Sequence, residues 1–172
     1  ANNRNKKSLT LDLRRPEARE VVYDLVARSD VFVQNFRKGV AGRLGLDYAA
    51  LSARNPRLVY ASASGYGPDG PDSGEPSFDY LGLARSGIMM AAGEPEMPPL
   101  CVAGCIADQM GAMMLTYGVR AALLARERHG LGQQVDASHL GSMGFLQGLS
   151  LSMRLREGSI GEDEVHGHPL RN

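Results

Sequence analysis

Cysteine is scarce in this chain, net charge is absent, and no apolar run is long enough to cross a bilayer. Two Cys in 172 residues exclude a disulfide-built scaffold, and Cys101-x-x-x-Cys105 lacks the further ligands of a zinc site. Both read as small buried residues or as spectators, in a reducing, cytoplasmic setting. The 19 basic and 19 acidic side chains cancel, so no overall field draws the chain to nucleic acid or to an anionic membrane. An anionic ligand must then be held by locally placed basic groups. No apolar stretch approaches the roughly 18 residues that a membrane helix needs. The polar opening Ala1 to Lys7 lacks the apolar centre of a signal peptide. No Walker loop and no G-x-G-x-x-G occurs, which excludes nucleotide binding of the P-loop or dinucleotide kind.

What the chain does carry is an alternation of strand and helix signals. Ser8 to Leu13 alternates polar and apolar residues as a strand does. Pro16 suits the first turn of a helix, with Val21, Val22, Leu25 and Val26 forming an apolar stripe up to Ala27. Val31-Phe32-Val33 is a short apolar strand, so the stretch from Ser8 to Val33 reads as a βαβ unit with parallel strands. Short helices are expected at Val40 to Leu44 and Tyr48 to Ala53, then a strand at Leu58 to Ser62. A loop rich in Gly and Pro follows from Gly65 to Glu75. Phe78 to Ala92 reads as one helix ended by Gly93, with Glu94 to Pro99 a connector. Ala107 to Arg128 is the longest helix, Gln133 to Ala137 a strand, and His139 to Arg156 the last helix. Gly104, Gly111 and Gly118 recur every seven residues. Helix Gly is costly, so a close approach by another backbone is the expected reason. The fold class is α/β: an open, mostly parallel, Rossmann-like sheet with flanking helices.

Such a sheet binds ligands beyond the carboxyl ends of its strands. Those ends are Leu13-Arg14-Arg15, Gln34 to Gly39, and Ser62 to Gly67. The first two carry paired basic residues, and the second adds Phe36 and the amide of Asn35. That set suits an adenine nucleotide with phosphates, and equally suits a group of solvated loop-tip charges. Asp108 is the most informative residue, because it stands where a turn-like stretch gives way to the long helix. Two roles are open to it. It can cap the helix, its charge held against the positive end of the backbone dipole, or it can face a cleft as an oxygen nucleophile toward an activated acyl group.

Several segments in one order resemble a known family. Asn3-Arg4-Asn5-Lys6-Lys7-Ser8, Leu11-Asp12-Leu13 and Asp30-Val31-Phe32-Val33-Gln34-Asn35-Phe36-Arg37-Lys38-Gly39 are similar to the opening third of the class III CoA-transferases, whose superfamily includes the alpha-methylacyl-CoA racemases. The likeness continues through Leu44-Gly45-Leu46-Asp47-Tyr48, Asn55-Pro56-Arg57-Leu58-Val59-Tyr60, Ser64-Gly65-Tyr66-Gly67-Pro68-Asp69-Gly70-Pro71 and Gly130-Leu131-Gly132-Gln133-Gln134-Val135-Asp136. The resemblance implies Asp108 as catalytic carboxylate, followed three residues on by Gly111. It implies CoA contacts at Leu11, Arg14, Asn35, Phe36 and Arg43. Amides near Gly111 are the expected donors to a developing oxyanion.

The implied activity is acyl-CoA:carboxylate CoA transfer through an aspartyl-CoA thioester. Its substrates are an acyl-CoA and a carboxylic acid, with no metal and no redox cofactor. Alternatives are a racemase-type epimerase, or a CoA-binding fragment without catalysis. The racemase branch pairs its aspartate with a His, and Phe78 stands at that position here; Phe cannot carry a proton. Ser77 stands where a transferase subgroup has a Lys for CoA. His129 and His139 read as surface residues or caps, and His166 and His168 as part of a polar tail. Family chains are longer and form interlocked homodimers. Residues 1–157 are therefore expected to be a large-domain segment, and 158–172 a polar linker toward a small domain.

Overall fold

The computed structural model describes residues 3–91 and 96–157. Its sheet has three strands, β1 (Val31–Gln34), β2 (Val59–Ser64) and β3 (Gln134–Ser138), in the order β1-β2-β3. Both pairings are parallel, with Val31 opposite Val59 and Ala61 opposite Val135. Parallel neighbours cannot be joined by a tight hairpin, so helices fill the connections. Between β1 and β2 lie α2 (Val40–Arg43) and α3 (Tyr48–Arg54). Between β2 and β3 lie α4 (Asp79–Arg85), α5 (Ile88–Ala91) and the long α6 (Ile106–His129). Ahead of the sheet stands α1 (Pro16–Val26), and after it α7 (His139–Leu146) and α8 (Gly148–Glu157). The α/β, all-parallel arrangement is the one expected. No helix among the described residues is long and apolar enough to cross a membrane.

The central strand is buried over Val59 to Ala61 and alternates its side chains between two layers. On one side Leu58 and Tyr60 join Val26, Leu46 and Leu51 in a closed apolar cluster, with Phe32 stacked on the Tyr60 ring. The Tyr60 hydroxyl, deep in that cluster, donates to the Leu46 carbonyl at 3.0 Å. On the other side α6 crosses β2 and β3. Leu83, Ala107 and Met143 form a second cluster where α4, α6 and α7 meet. The backbone approach expected from the Gly repeat is not what Gly118 meets: its neighbour is a side chain, and a Cβ there would stand 2.6 Å from Val135 Cγ1 of β3. Gly104 lies ahead of α6.

Three expected elements differ. Ser8 to Leu13 is not a strand, so the first βαβ unit does not form. A strand needs a partner ladder, and no strand beyond β1 receives this segment among the described residues. Local bonds take over there: the Arg14 backbone N–H and guanidinium both donate to Asp12, at 3.2 and 2.9 Å. The helix expected from Phe78 to Ala92 is two helices, broken at Ser86-Gly87, where Gly87 takes φ 80. The last helix is likewise split at Gln147, the C-cap of α7. The two breaks face each other, because Gln147 Nε2 donates to the Ser86 carbonyl at 3.1 Å. That contact joins positions 61 residues apart in sequence. The expected linker 158–172, with His166 and His168, lies outside the described residues, as do Ala92 and Gly93.

Candidate active site

A cleft of ≈ 650 Å³ opens beyond the carboxyl ends of the strands. Asn35 and Phe36 follow β1, Gly65 follows β2 and His139 follows β3, while α6 contributes Asp108, Gly111 and Leu115. Gln34, the last residue of β1, shapes the first exit: its Nε2 donates to Ser62 Oγ at 2.9 Å and its Oε1 accepts the Phe36 N–H at 2.7 Å. The 65–77 loop bounds the opening. Lys38 Nζ holds it by donating to the Pro68 carbonyl at 2.8 Å and to Ser73 Oγ at 2.7 Å. Arg85 pins it from α4 through Asp72, at 2.6 Å. The Tyr66 hydroxyl and then the Asp72 carboxylate hold the Arg85 guanidinium above its ordinary pKa.

Asp108 is the third residue of α6, after a start at Cys105 with left-handed φ 53 and no capping side chain of its own. Helix starts leave backbone amides in need of acceptors. That need is met from a neighbouring helix: Asp79 Oδ1 of α4 accepts the Asp108 N–H at 3.1 Å. Asp79 is 8% exposed, and its Oδ2 has no hydrogen-bond partner among the described residues. The capping role open to Asp108 is thus filled by Asp79. The Asp108 side chain itself is 51% exposed and borders the cleft.

Its partner there is His139. Nε2 of that ring lies 3.0 Å from Asp108 Oδ1, and Nδ1 lies 3.1 Å from Ser77 Oγ. The reading of His139 as a surface residue or cap is corrected: the ring is half-buried, and Ser138 caps α7 by accepting the Gly141 N–H. Room for the ring comes from two glycines. A Cβ at Gly82 would stand 3.0 Å from His139 Cβ, and one at Gly111 would stand 3.4 Å from Cδ2. A usable signal for His139 was present in the sequence. The rule that ligands gather beyond strand carboxyl ends, applied to the strand at 133–137 as well, points straight at it.

The expected site residues fall into two groups. Asp108, Asn35 and Phe36 meet in the cleft, whereas Leu11, Arg14 and Arg43 are outside its walls. Arg14 is bound to Asp12, whose carboxyl its guanidinium holds below the usual carboxylate range. Arg43 is the exposed last residue of α2, and Leu11 is half-buried. The Gly111 amide is not free for an oxyanion, because Gly111 sits well inside α6, where amides bond along the helix. Phe78 lies on the cleft wall beside Ser77, with its ring edge-on to Tyr80. No group of three or more His, Cys, Asp or Glu able to hold a metal ion is found among the described residues.

Sheet, cleft and exposed carboxylate define an α/β fold that presents an acid at its strand ends. The chain belongs to CoA-transferase family III, whose sequence profile matches residues 1–171. It is 44% identical over 147 residues to the acetyl-CoA:oxalate CoA-transferase of Acetobacter aceti, covering 84% of this chain and 38% of that protein. It is 37% identical over 165 residues to the succinyl-CoA–D-citramalate CoA-transferase of Chloroflexus aurantiacus, covering 96% of this chain and 39% of that one. A crystal structure of a CAIB/BAIF family protein from Brucella suis superposes with a TM-score of 0.86 at 35% identity, over 91% of this chain and 42% of that one. The chain spans about two fifths of the length of these relatives.

Proposed function

We propose that the protein carrying this chain transfers CoA from an acyl-CoA to a carboxylic acid, with Asp108 as the covalent carrier. The observation that carries this reading is the division of labour at the start of α6. Asp79 satisfies the helix amide, and the Asp108 carboxylate is left exposed in the cleft. Its oxygen attacks the thioester carbonyl, forming a mixed anhydride and releasing the CoA thiolate. The thiolate then attacks the aspartyl carbonyl, expelling the donor acid and leaving an aspartyl-CoA thioester. The acceptor acid attacks that thioester, giving a second anhydride and thiolate. Attack of the thiolate on the acceptor's acyl carbonyl yields the new acyl-CoA and frees Asp108. Each step exchanges one activated carbonyl for another, so holding the reactants in place supplies much of the rate.

On this reading Phe36 and Asn35 meet the CoA where it enters the cleft, and Leu11, Arg14 and Arg43 meet its nucleotide end. The reading includes a cytoplasmic setting and an interlocked homodimer. An epimerase is not favoured. Two bases acting on one carbon must stand on its opposite faces, each within hydrogen-bond reach of the proton. His139 and Asp108 are bonded to each other at 3.0 Å. The test is hydroxylamine trapping during turnover of the intact protein, with mass spectrometry of the Asp108 peptide. A hydroxamate on Asp108 supports the reading. Turnover with an unmodified Asp108 defeats it, and CoA binding without turnover identifies a non-catalytic CoA-binding piece.

A further inference from the structure

Among the polar groups that line the cleft, His139 bonds to Asp108 yet has no part in the steps above, and one requirement of those steps is unmet. The requirement is a donor for the negative charge that builds on the aspartyl carbonyl when the thiolate attacks it, since the Gly111 amide is engaged in α6. We propose that His139 Nε2–H is that donor: it orients Asp108 before attack, then stabilises the oxyanion on Oδ1 once Oδ2 is acylated. The assignment rests on the reading of Asp108 as the nucleophile.

A carboxylate accepts hydrogen bonds, so the proton on the 3.0 Å contact belongs to His139 Nε2. In the neutral ring Nδ1 then accepts, and Ser77 Oγ–H at 3.1 Å is placed to donate to it. The bonds run in one direction, from Ser77 through His139 to Asp108. Ser77 thereby selects the tautomer, while Gly82 and Gly111 leave room for the ring where a Cβ would press on it. The carboxyl torsion of an Asp is broad and roughly two-fold, so an unheld Asp108 would offer either oxygen in many orientations. With Oδ1 engaged, Oδ2 is the oxygen left to attack.

Acylation at Oδ2 makes Oδ1 a carbonyl oxygen already bonded to an N–H. When the thiolate attacks, a C–S bond forms and the C–Oδ2 bond to the donor's acyl group breaks. The donor carboxylate leaves with the electron pair, and no proton moves. The charge that passes through Oδ1 during this exchange meets a donor placed in advance, which is where such a bond contributes most.

The test uses the intact protein, with kcat, KM for acyl-CoA and the rate at which CoA appears on the Asp108 peptide. His139→Leu, similar in bulk but without an N–H, is expected to lower kcat and CoA attachment by roughly 10²-fold to 10³-fold. KM should stay within about threefold of native, because the bond matters most after binding. His139→Gln, whose side-chain amide restores a donor, is expected to recover about tenfold of that loss. His139→Leu at native speed with Asp108 still labelled overturns the assignment alone, as does His139→Gln no faster than His139→Leu. A native protein that turns over with Asp108 never labelled removes the nucleophile and this assignment together. Should His139→Leu fail to fold, Ser77→Ala reads the same chain from its far end. A loss of roughly threefold to tenfold in kcat at an unchanged unfolding midpoint supports the relay, and an unchanged kcat refutes it.

Discussion

Two aspartates 29 positions apart share the start of α6 and have opposite burdens. Asp79 is buried, accepts the Asp108 N–H and has no partner on its second oxygen among the described residues; Asp108 is half-exposed and its carboxylate bonds to His139. Their replacement should therefore separate stability from chemistry. Asp79→Ala removes a helix-start acceptor and is expected to cost about 1 kcal/mol in urea unfolding. Asp108→Ala deletes no cap and should shift stability by about 0.5 kcal/mol or less, while abolishing CoA transfer. A larger stability loss from Asp108→Ala than from Asp79→Ala would return Asp108 to a structural role. Which of the two served as cap was not readable from the chain, since any Asp near a helix start fits the pattern. The deciding bond comes from a different helix.

At the scale of elements, the parts readable in the sequence are those specified by neighbouring residues. The span of α1, the strand at β1, the length of α6 and the Gly130 that ends it all appear where the pattern placed them, although Val21 and Leu25 of the expected α1 stripe are exposed. The failures share a cause of another kind. Ser8 to Leu13 has strand alternation but no ladder to join among the described residues, and the breaks at Gly87 and Gln147 lie beside a bond that spans 61 positions. Apolar periodicity alone marks neither. One long-range constraint did leave a mark, at Gly132. Its N–H donates to the Pro56 carbonyl at 2.8 Å as the chain enters β3, and an added Cβ would overlap the Leu58 carbonyl. Neither neighbour is a flexible tip that can turn aside. Gly132→Ala must then lift the start of β3 off β2, and a loss of about 2–3 kcal/mol is expected in thermal or urea unfolding. An unchanged midpoint would mean that the β2–β3 approach is looser than described.

For the molecule as a whole, the two apolar clusters are small, and much large apolar side-chain surface stays outside them. On α6, Met113, Tyr117 and Leu124 are 65%, 73% and 56% exposed, and they recur at spacings that share one helix face. Farther along, Phe145 is 68% exposed, Leu149 65% and Leu155 86%. Single exposed apolar residues are ordinary, but a row of them on one helix together with a second group marks surface that water does not favour. The matched relatives are more than twice as long as the stretch they share with this chain. The 172-residue chain on its own is therefore expected to self-associate in sedimentation at micromolar concentration and to bind an apolar dye strongly. Replacing Tyr117 and Leu124 together by Lys should lower both, with little effect on unfolding, because neither side chain belongs to a buried cluster. A chain that sediments as a monomer and leaves the dye dark would show that the α6 face is content in water. The apolar row would then have to be explained by the local demands of α6 and not by anything that covers it.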